Sequence, residues 1–497
     1  MTTIIPRWEW RTFGRRFGIA QTRFAGLQPT AVQDSDELYL LAGSADNVKI
    51  RDALMDIKVL REVAPNGLER WEPVMKQGFP LAAADMRNVI AALNLPALPL
   101  ERDAYTLDQF LAELVVPSGA LRPLTVHKHR VRYMVGGCTA EVTEITAEGR
   151  ATRSIAIESE DAAAVIAAVA SVGLADYCNM SYTRGLRALL DAAPERYAVI
   201  DAGTNSIKFH IAERAADGSM CAVVDRAEMT RLGEGLEERG EIGHDAIERT
   251  VSAIAKMVEE AKQYGVLAIA AVGTAGLRMA RNGAAVIATI RARTGVAIEV
   301  ISGEEEGRLA YLAVKAGLEL PEGSLVVFDT GGGSSQFTFG RGARVEERFS
   351  VDVGAVRYTE RFGLDNVVSP EVLGDALAAI AADLARIEGR PAPDLLVAMG
   401  GAITNLAAVK HALKTYDPDI VQGTVLDRAE IDRQIELYRS RSAAERRTIV
   451  GLQPKRADVI LAGACIVRTV MDKLHQNALR VSDRGLRHGL LVERFGN

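Results

Sequence analysis

The chain has 497 residues, 48% hydrophobic and 25% charged, a composition typical of soluble globular proteins and a length that suggests about three folding units. Its 59 basic and 65 acidic residues give a formal net charge of −6, which excludes a nucleic-acid binder that works through a general basic field. The four cysteines form no CxxC pair, no stretch approaches 18 apolar residues, and the N-terminus lacks an apolar signal region. We therefore expect reduced thiols, no membrane partner and a cytoplasmic location.

The first part of the chain contains short segments in which charged and apolar residues alternate. They span residues 7–11, 48–51, 56–59 and 130–133. A period of two places every second side chain on the same face of a strand. This spacing predicts strands that carry Lys49 with Arg51, and Arg130 with Arg132, on one face.

A short polar stretch with one proline, residues 191–196, separates this part from the rest of the chain. Beyond it, apolar strand-like runs alternate with alanine-rich helical stretches, which is typical of layered α/β domains.

An internal repeat is the most informative feature of the sequence. Asp201–Phe209 and Asp329–Phe337 share Asp, Gly, Ser and Phe at the same four offsets, and each follows an apolar strand-like run. We interpret both as a strand, a tight glycine-containing turn and a second strand, whose backbone N–H groups and hydroxyls can hold phosphate oxygens. The predicted phosphate-binding residues are Gly203, Thr204, Asn205 and Ser206 in the first copy, and Gly331, Gly332, Gly333, Ser334 and Ser335 in the second. The Asp that ends each first strand, Asp201 or Asp329, can hold a divalent metal.

The alternative is two ordinary glycine-rich hairpins, which are common. The chain has neither a Walker loop nor a dinucleotide-binding fingerprint. The duplication favours two similar subdomains that face each other across a cleft.

The segment ISGEEEGRL, residues 301–309, places three carboxylates at the start of an apolar helix. Hydrolysis of a terminal phosphoanhydride needs a water molecule aimed in line at phosphorus, and a nearby carboxylate can orient or deprotonate it. The alternative is that Glu304, Glu305 and Glu306 only complement the helix dipole, which favours acidic residues in the first turn. Arg278 follows a strand-like run at 268–272 and suits clamping of phosphate oxygens, with a surface ion pair as the alternative.

From about Tyr197 to Phe495 the chain resembles the exopolyphosphatase/guanosine pentaphosphate phosphatase (Ppx/GppA) family of the actin-like fold. The matching motifs, in chain order, are IDAGTNS (200–206), RLGEGL (231–236), VGTAGLRMARN (272–282), ISGEEEGRLAYLAV (301–314), FDTGGGSS (328–335), VGAVRYTERF (353–362), MGGAITNLA (399–407) and VSDRGLRHGLL (481–491). The resemblance implies duplicated ribonuclease-H-like subdomains at 196–320 and 321–497 with a cleft between them. It also implies Glu306 as catalytic base, Mg²⁺ or Mn²⁺ on Asp201 and Asp329, and a homodimer.

One position departs from the family pattern. The second hairpin commonly ends GGGSTE in the family, whereas this chain has Gln336 in place of the Glu. A Gln is a neutral and weaker metal ligand, but it can position the attacking water by hydrogen bonding. We assign Gln336 to the catalytic site.

Residues 1–190 resemble the CYTH, or triphosphate-tunnel, family. That resemblance implies an α+β domain built on a closed barrel of eight antiparallel strands with inward-pointing cations that hold a phosphate chain. The predicted polyphosphate-binding residues are Lys49, Arg51, Lys58, Arg130, Arg132 and, in the closing segment 181–187 that fits the same pattern, Arg184. Cations inside a barrel repel one another strongly unless an anion is present.

The CYTH family opens with ExExK, whereas this chain has Arg7-Trp-Glu9-Trp-Arg11. The loss of one metal-binding carboxylate favours a binding module without its own catalysis, although Glu141, Glu158 and Glu160 are alternative metal ligands. A solvated sheet with charged outer faces is the other interpretation.

Together these features predict a metal-dependent exopolyphosphatase whose N-terminal domain binds the polymer. The alternatives are hydrolysis of guanosine pentaphosphate and a polyphosphate or nucleotide sensor without turnover.

Overall fold

The computed structural model describes residues 5–96, 99–318, 322–342 and 344–496. They form two compact units. The first comprises the described residues up to Arg196 together with Val266–Ile269, and the second comprises Tyr197–Gly265 and Ala270–Gly496.

The first unit is built on a closed barrel of eight strands in the order β1-β10-β9-β8-β2-β3-β4-β5, which confirms the predicted antiparallel barrel. Strands β6 and β7 form a separate pair. The strands are β1 Arg7–Gly14, β2 Ala31–Leu41, β3 Asn47–Arg51, β4 Leu54–Val63, β5 Glu69–Gly78, β6 Leu81–Ala82, β7 Ala104–Tyr105, β8 Arg122–Val135, β9 Cys138–Ala147 and β10 Arg150–Ser159. The helices are α1 Ile19–Ala25, α2 Ala83–Ala92, α3 Leu107–Phe110, α4 Ala162–Ser171 and α5 Tyr182–Leu190.

The alternation predicted for the barrel strands is present in the structure. In β3, Val48 and Ile50 are buried and pack with residues of α2 in one apolar cluster, while Lys49 and Arg51 lie on the opposite face of the strand. The period of two therefore sorts apolar side chains to the outer, helix-covered face and charged side chains to the barrel interior.

The closing segment 181–187 is a helix, which corrects the strand-like pattern expected there. The Ser181 hydroxyl accepts a hydrogen bond from the Arg184 amide and starts α5. Tyr182 and Leu186 lie one helical turn apart and pack in a cluster with Phe13 and Tyr39 of the barrel strands. Residues 181–187 thus contribute an apolar helix face to the barrel instead of a row of cations.

Several interior cations of the barrel share one internal carboxylate. The fully buried carboxylate of Glu37 lies 2.8 Å from Lys128 Nζ, 3.0 Å from Lys49 Nζ, 3.3 Å from Arg130 Nη2 and 3.5 Å from Arg51 Nη1. Although burial opposes it, Lys128 and Lys49 hold the pKa of Glu37 well below its usual range. This internal acid therefore relieves part of the repulsion between the cations.

The second unit contains two sheets. Their strands are β11 Arg196–Ala202, β12 Ser206–Arg214, β13 Met220–Met229, β14 Ala268–Gly273, β15 Glu299–Val300, β16 Ser324–Thr330, β17 Ser335–Arg341, β18 Arg344–Val351, β19 Leu395–Met399, β20 Val425–Asp427 and β21 Ala478–Ser482. The first sheet has the order β13-β12-β11-β14-β15 and the second β18-β17-β16-β19-β21-β20. In both sheets, the third, second, first and fourth strands of the set lie side by side in that order. This repeated order confirms the duplicated actin-like fold.

Helices cover these sheets and supply the largest apolar core. They are α6 Leu236–Arg239, α7 His244–Gln263, α8 Ala275–Met279, α9 Gly283–Thr294, α10 Gly303–Gly317, α11 Ala355–Phe362, α12 Pro370–Asp383, α13 Gly401–Lys410, α14 Pro418–Val421, α15 Arg428–Arg439, α16 Ala443–Arg446, α17 Ile460–Lys473 and α18 Leu486–Phe495. The core centres on α17, which is buried along most of its length. Within the described ranges, no helix has both the length and the apolar character that crossing a bilayer requires.

Candidate active site

Two matching hairpins form the walls of one cleft in the second unit. The first joins β11 to β12 and the second joins β16 to β17. In each, the glycine after the first strand donates its amide to a carbonyl three residues later, Gly203 to Ser206 at 3.1 Å and Gly331 to Ser334 at 2.9 Å. The two repeats seen in the sequence therefore fold into equivalent turns on opposite sides of one cleft.

The hairpin tips present unpaired backbone N–H groups to the cleft. The carbonyls of Thr204, Asn205, Gly331 and Gly332 accept hydrogen bonds from neighbouring segments. The residues whose tip amides have no acceptor within the described part of the chain are Thr204, Asn205, Gly332, Gly333 and Ser334, all of which line the cleft. Amides held outward in this way form a nest for anionic oxygens. Ser335 lies behind the tip, where its hydroxyl donates to the Val353 carbonyl.

The carboxylates of Asp201 and Asp329 lie at the bottom of the same cleft. Asp201 is 1% exposed; its Oδ2 lies 2.7 Å from Lys208 Nζ, and its buried Oδ1 has no hydrogen-bond partner. A Cβ on Gly400 would stand 2.6 Å from Asp329 Oδ1, so only a glycine leaves room beside that oxygen. The unpaired Oδ1 of Asp201 and the space that Gly400 leaves beside the Asp329 carboxylate fit a hard divalent cation such as Mg²⁺ or Mn²⁺.

Glu306 lines the cleft from the first turn of α10, whose N-cap is Ser302. It is 7% exposed, whereas Glu304 is exposed and Glu305 is paired with Arg308. Burial raises the pKa of Glu306 to about 7, and the charges of Asp201 and Asp329 add to the rise. A carboxylate with a pKa near neutrality suits a general base.

Arg278 contacts the candidate base directly. Its Nη1 donates to Glu306 Oε1 at 2.7 Å and to the Ile301 carbonyl at 2.8 Å. Its side chain is absent from the lining of the cleft.

Gln336 is buried in the wall of the cleft. Its Nε2 donates to Ser334 Oγ at 2.7 Å and to Ser350 Oγ at 3.3 Å. Both amide hydrogens are thus engaged, which leaves the Oε1 atom as an acceptor.

Two cations in the cleft were missed by the sequence analysis. Lys208 is two residues beyond Ser206 on β12, so the period of two already places it on the cleft face. Arg456 comes from a short turn 250 residues later in the chain; its Nη2 donates to Ser206 Oγ at 3.3 Å and its buried Nε has no partner. No local signal marks Arg456, because only the fold brings it to the hairpin.

The predicted cations of the first unit are not all brought together. Lys49, Arg51 and Arg130 share Glu37, and Lys58 lies 3.8 Å from Glu9. Arg132 follows Arg130 on the same face of β8, and Arg184 is exposed on the first turn of α5. In the part of the chain that the structure describes, Arg132 and Arg184 have no carboxylate within ion-pair distance.

The substituted opening motif of the barrel is also ion-paired. Arg11 lies 2.8 Å from Glu9 and 2.9 Å from Glu141, and Arg7 lies 3.4 Å from Glu158. Glu141 and Glu158, two of the three carboxylates considered as alternative metal ligands, therefore have basic partners.

Comparison with known proteins agrees with this geometry. A profile of the Ppx/GppA phosphatase family matches residues 211–497, more than half of the chain. The chain belongs to the Ppx/GppA phosphatase family. A crystal structure of the Aquifex aeolicus family member has 34% sequence identity and a TM-score of 0.53, over 60% of this chain and 97% of that one.

Relatives with assigned names are more distant. Exopolyphosphatase 1 of Mycobacterium tuberculosis is 27% identical over 305 residues, which are 60% of this chain and 88% of the relative. A bifunctional 3-dehydroquinate synthase/phosphatase of Fusobacterium nucleatum is 28% identical over 311 residues, 60% of this chain. The matched region spans only 46% of that bifunctional protein.

Proposed function

We propose that this family member is a metal-dependent exopolyphosphatase that hydrolyses the terminal phosphoanhydride of inorganic polyphosphate and releases orthophosphate. The observation that carries the proposal is the position of Glu306, a buried carboxylate with a pKa raised to about 7, in the cleft that also holds both amide nests and both aspartates. The exopolyphosphatase name of a relative at 27% identity supports the choice of substrate.

Each group in the cleft has a distinct task in this reaction. The tip amides of the two hairpins, with Lys208 and Arg456, bind the oxygens of the terminal phosphate and spread the charge of the transition state. Glu306 takes a proton from the attacking water, and Arg278 orients Glu306 through their 2.7 Å hydrogen bond. Gln336 accepts a hydrogen bond through its Oε1 and orients the water. A divalent cation on Asp201 and Asp329 would supply charge neutralisation for the phosphate oxygens.

The barrel contributes to the same function by binding the polymer away from its reacting end. Arg132 and Arg184, which lack internal ion-pair partners in the described ranges, are the cations best placed to contact an external phosphate chain. Lys49, Arg51 and Arg130 are already paired with Glu37 and contribute less. Contacts with the distal chain raise the effective concentration of the end to be cleaved.

The test is orthophosphate release by the purified protein with Mg²⁺ or Mn²⁺, and with a chelator as control. We expect metal-dependent release of orthophosphate from medium-length polyphosphate. At equal concentrations of terminal phosphate groups, release from the polymer should be faster than release from guanosine pentaphosphate. Preferential hydrolysis of guanosine pentaphosphate would make the nucleotide the substrate. No release from either compound would make the protein a sensor.

A further inference from the structure

Two histidines and an aspartate from three different elements meet where α18 contacts β12. His210 on β12 lies directly opposite Asp225 on β13 in the antiparallel register, and His488 is in the first turn of α18. One ligand atom of each residue lies within 4.8 Å of the other two. None of these three described residues lines the cleft of the candidate active site, so they form a separate cluster.

The spacing of the cluster matches that of a metal site. Asp225 Oδ2 lies 3.6 Å from His210 Nδ1 and 3.2 Å from His488 Nε2. Zinc binds imidazole nitrogens and carboxylate oxygens at about 2.0–2.1 Å, so two ligand atoms of a tetrahedral site lie about 3.3 Å apart. The two separations at Asp225 are close to that value, and an ion can therefore bind with little movement of the side chains.

The His210 ring provides independent evidence for a ligand. His210 is 2% exposed, and its Nδ1 has no hydrogen-bond partner among the residues that the structure describes. The 3.6 Å distance from this nitrogen to Asp225 Oδ2 is too long for a hydrogen bond. A buried polar atom without a partner costs free energy, and a metal ion bound to Nδ1 would remove that cost.

The surroundings of Asp225 fix the carboxylate and leave it accessible. Arg487 donates to both of its oxygens, through Nε to Oδ1 at 2.7 Å and through Nη2 to Oδ2 at 3.0 Å. Such outer contacts orient a metal ligand. Asp483 is a further anion near this guanidinium and offsets its charge. The Asp225 side chain is 24% exposed, which gives an ion a path from the solvent.

The proton on His488 must move when an ion binds. The Gly485 amide donates to His488 Nδ1 at 3.2 Å, so the proton of the neutral ring is on Nε2 and points to Asp225. A metal ion takes the place of this proton, which then lies on Nδ1, and the ring stays neutral. The partly exposed Gly485 amide bonds to water instead. Binding therefore costs one hydrogen bond and releases no proton.

We propose that His210, Asp225 and His488 form a binding site for Zn²⁺, with water as the fourth ligand. Two imidazoles and one carboxylate suit Zn²⁺, whereas the carboxylates of Asp201 and Asp329 suit a hard cation such as Mg²⁺. The ion links β12 and β13 to α18. This inference does not rest on the proposed function, because the two sites share no residue.

The test is Zn²⁺ binding to the full-length, chelator-treated protein, measured by competition with a chromophoric chelator. An excess of Mg²⁺ keeps Zn²⁺ from the cleft carboxylates. We expect one tight site per chain. His488→Gln should weaken it by about a hundredfold or more, since even an outer-shell partner of a metal is worth about tenfold to a hundredfold. His244→Gln, which replaces an exposed histidine at the start of α7, is the matched control and should bind Zn²⁺ like the wild type.

Thermal unfolding shows whether the variants are folded. In the presence of a chelator, His488→Gln should have a Tm close to that of the wild type, and Zn²⁺ should raise the Tm of the wild type alone. If His488→Gln does not fold, Asp225→Asn decides. This change is at an exposed residue, and we expect it to weaken Zn²⁺ binding by about tenfold or more, because a neutral oxygen replaces an anionic ligand.

A wild type that binds no Zn²⁺ in excess Mg²⁺ would overturn the inference. Equal Zn²⁺ affinity in the wild type and in a folded His488→Gln or Asp225→Asn variant would also overturn it, since the ion would then be bound by other residues. Either result leaves the proposed function untouched, because phosphate release with Mg²⁺ is measured separately.

Discussion

Arg278 and Glu306 form the contact that most directly sets the chemistry of the cleft. Burial raises the pKa of Glu306 to about 7, and the hydrogen bond from Arg278 keeps it from rising further. Below that pKa the carboxyl group is protonated and cannot accept a proton from water. Activity should therefore increase as the pH rises through the Glu306 pKa, which forms the acidic limb of the pH–rate profile. A bound cation favours the ionised carboxylate and moves this acidic limb to lower pH.

We predict that Arg278→Gln moves the acidic limb of the kcat profile to higher pH and changes KM by less than about threefold, because the guanidinium acts through Glu306. The measurement is the pH dependence of kcat and KM for phosphate release. Arg281→Gln, an exposed arginine beyond the same helix, is the control and should leave the profile unchanged. A large rise in KM with an unshifted pH limb would show instead that Arg278 binds phosphate directly.

At the scale of elements, the turn between β19 and α13 shapes the space beside Asp329. Gly400 has φ +106°, a conformation that side chains rarely adopt, and a Cβ there would meet both Asp329 Oδ1 and the Thr330 carbonyl at 2.6 Å. A glycine is thus required at position 400 for two reasons: the backbone has a positive φ, and a side chain would collide with the candidate metal ligand Asp329.

We predict that Gly400→Ala lowers kcat at a fixed Mg²⁺ concentration by about tenfold or more and weakens Mn²⁺ binding, because Asp329 is displaced. Gly389→Ala provides the control: this glycine also has a positive φ, +69°, but a Cβ there meets nothing within 4 Å. Equal effects of the two substitutions would mean that backbone strain, and not crowding of Asp329, causes the loss.

The elements that can be predicted from the sequence are those whose residues follow a pattern within one short segment. The two hairpins repeat one pattern, and the barrel strands alternate every second residue, so both were predicted and are confirmed. The closing segment 181–187 was wrongly grouped with the charged strands. Tyr182, Leu186 and Leu190 recur every four residues, and this spacing is the helical signal that identifies the segment. Glu37 and Arg456 had no such signal, since their partners come from other parts of the chain.

At the scale of the whole molecule, the net charge of −6 is compatible with a polyanionic substrate, because binding depends on a few cations at specific positions and not on an excess of basic residues. In the first unit, most interior cations of the barrel are matched to acids such as Glu37 and Glu141. In the second, backbone amides supply much of the positive potential without adding formal charge. The polymer binding that we propose for the barrel therefore depends on the few cations that lack an internal ion-pair partner in the described ranges.

We predict that Arg132→Ala raises KM for long polyphosphate by about threefold or more and leaves KM for tripolyphosphate unchanged, because only a long chain gains from a second contact. Arg122→Ala, on the same strand but paired with Glu148, is the matched control. Steady-state kinetics over a series of chain lengths makes the comparison. An equal rise for short and long chains would argue against binding of the polymer by the barrel.

The most direct test of the account is the rate of orthophosphate release from polyphosphate by Glu306→Gln, compared with Glu304→Gln, an exposed carboxylate in the same helical turn. The account predicts that Glu306→Gln lowers kcat by about a hundredfold or more at saturating Mg²⁺, the loss expected of a general base, while Glu304→Gln stays within about twofold of the wild type. Full activity in Glu306→Gln would contradict it.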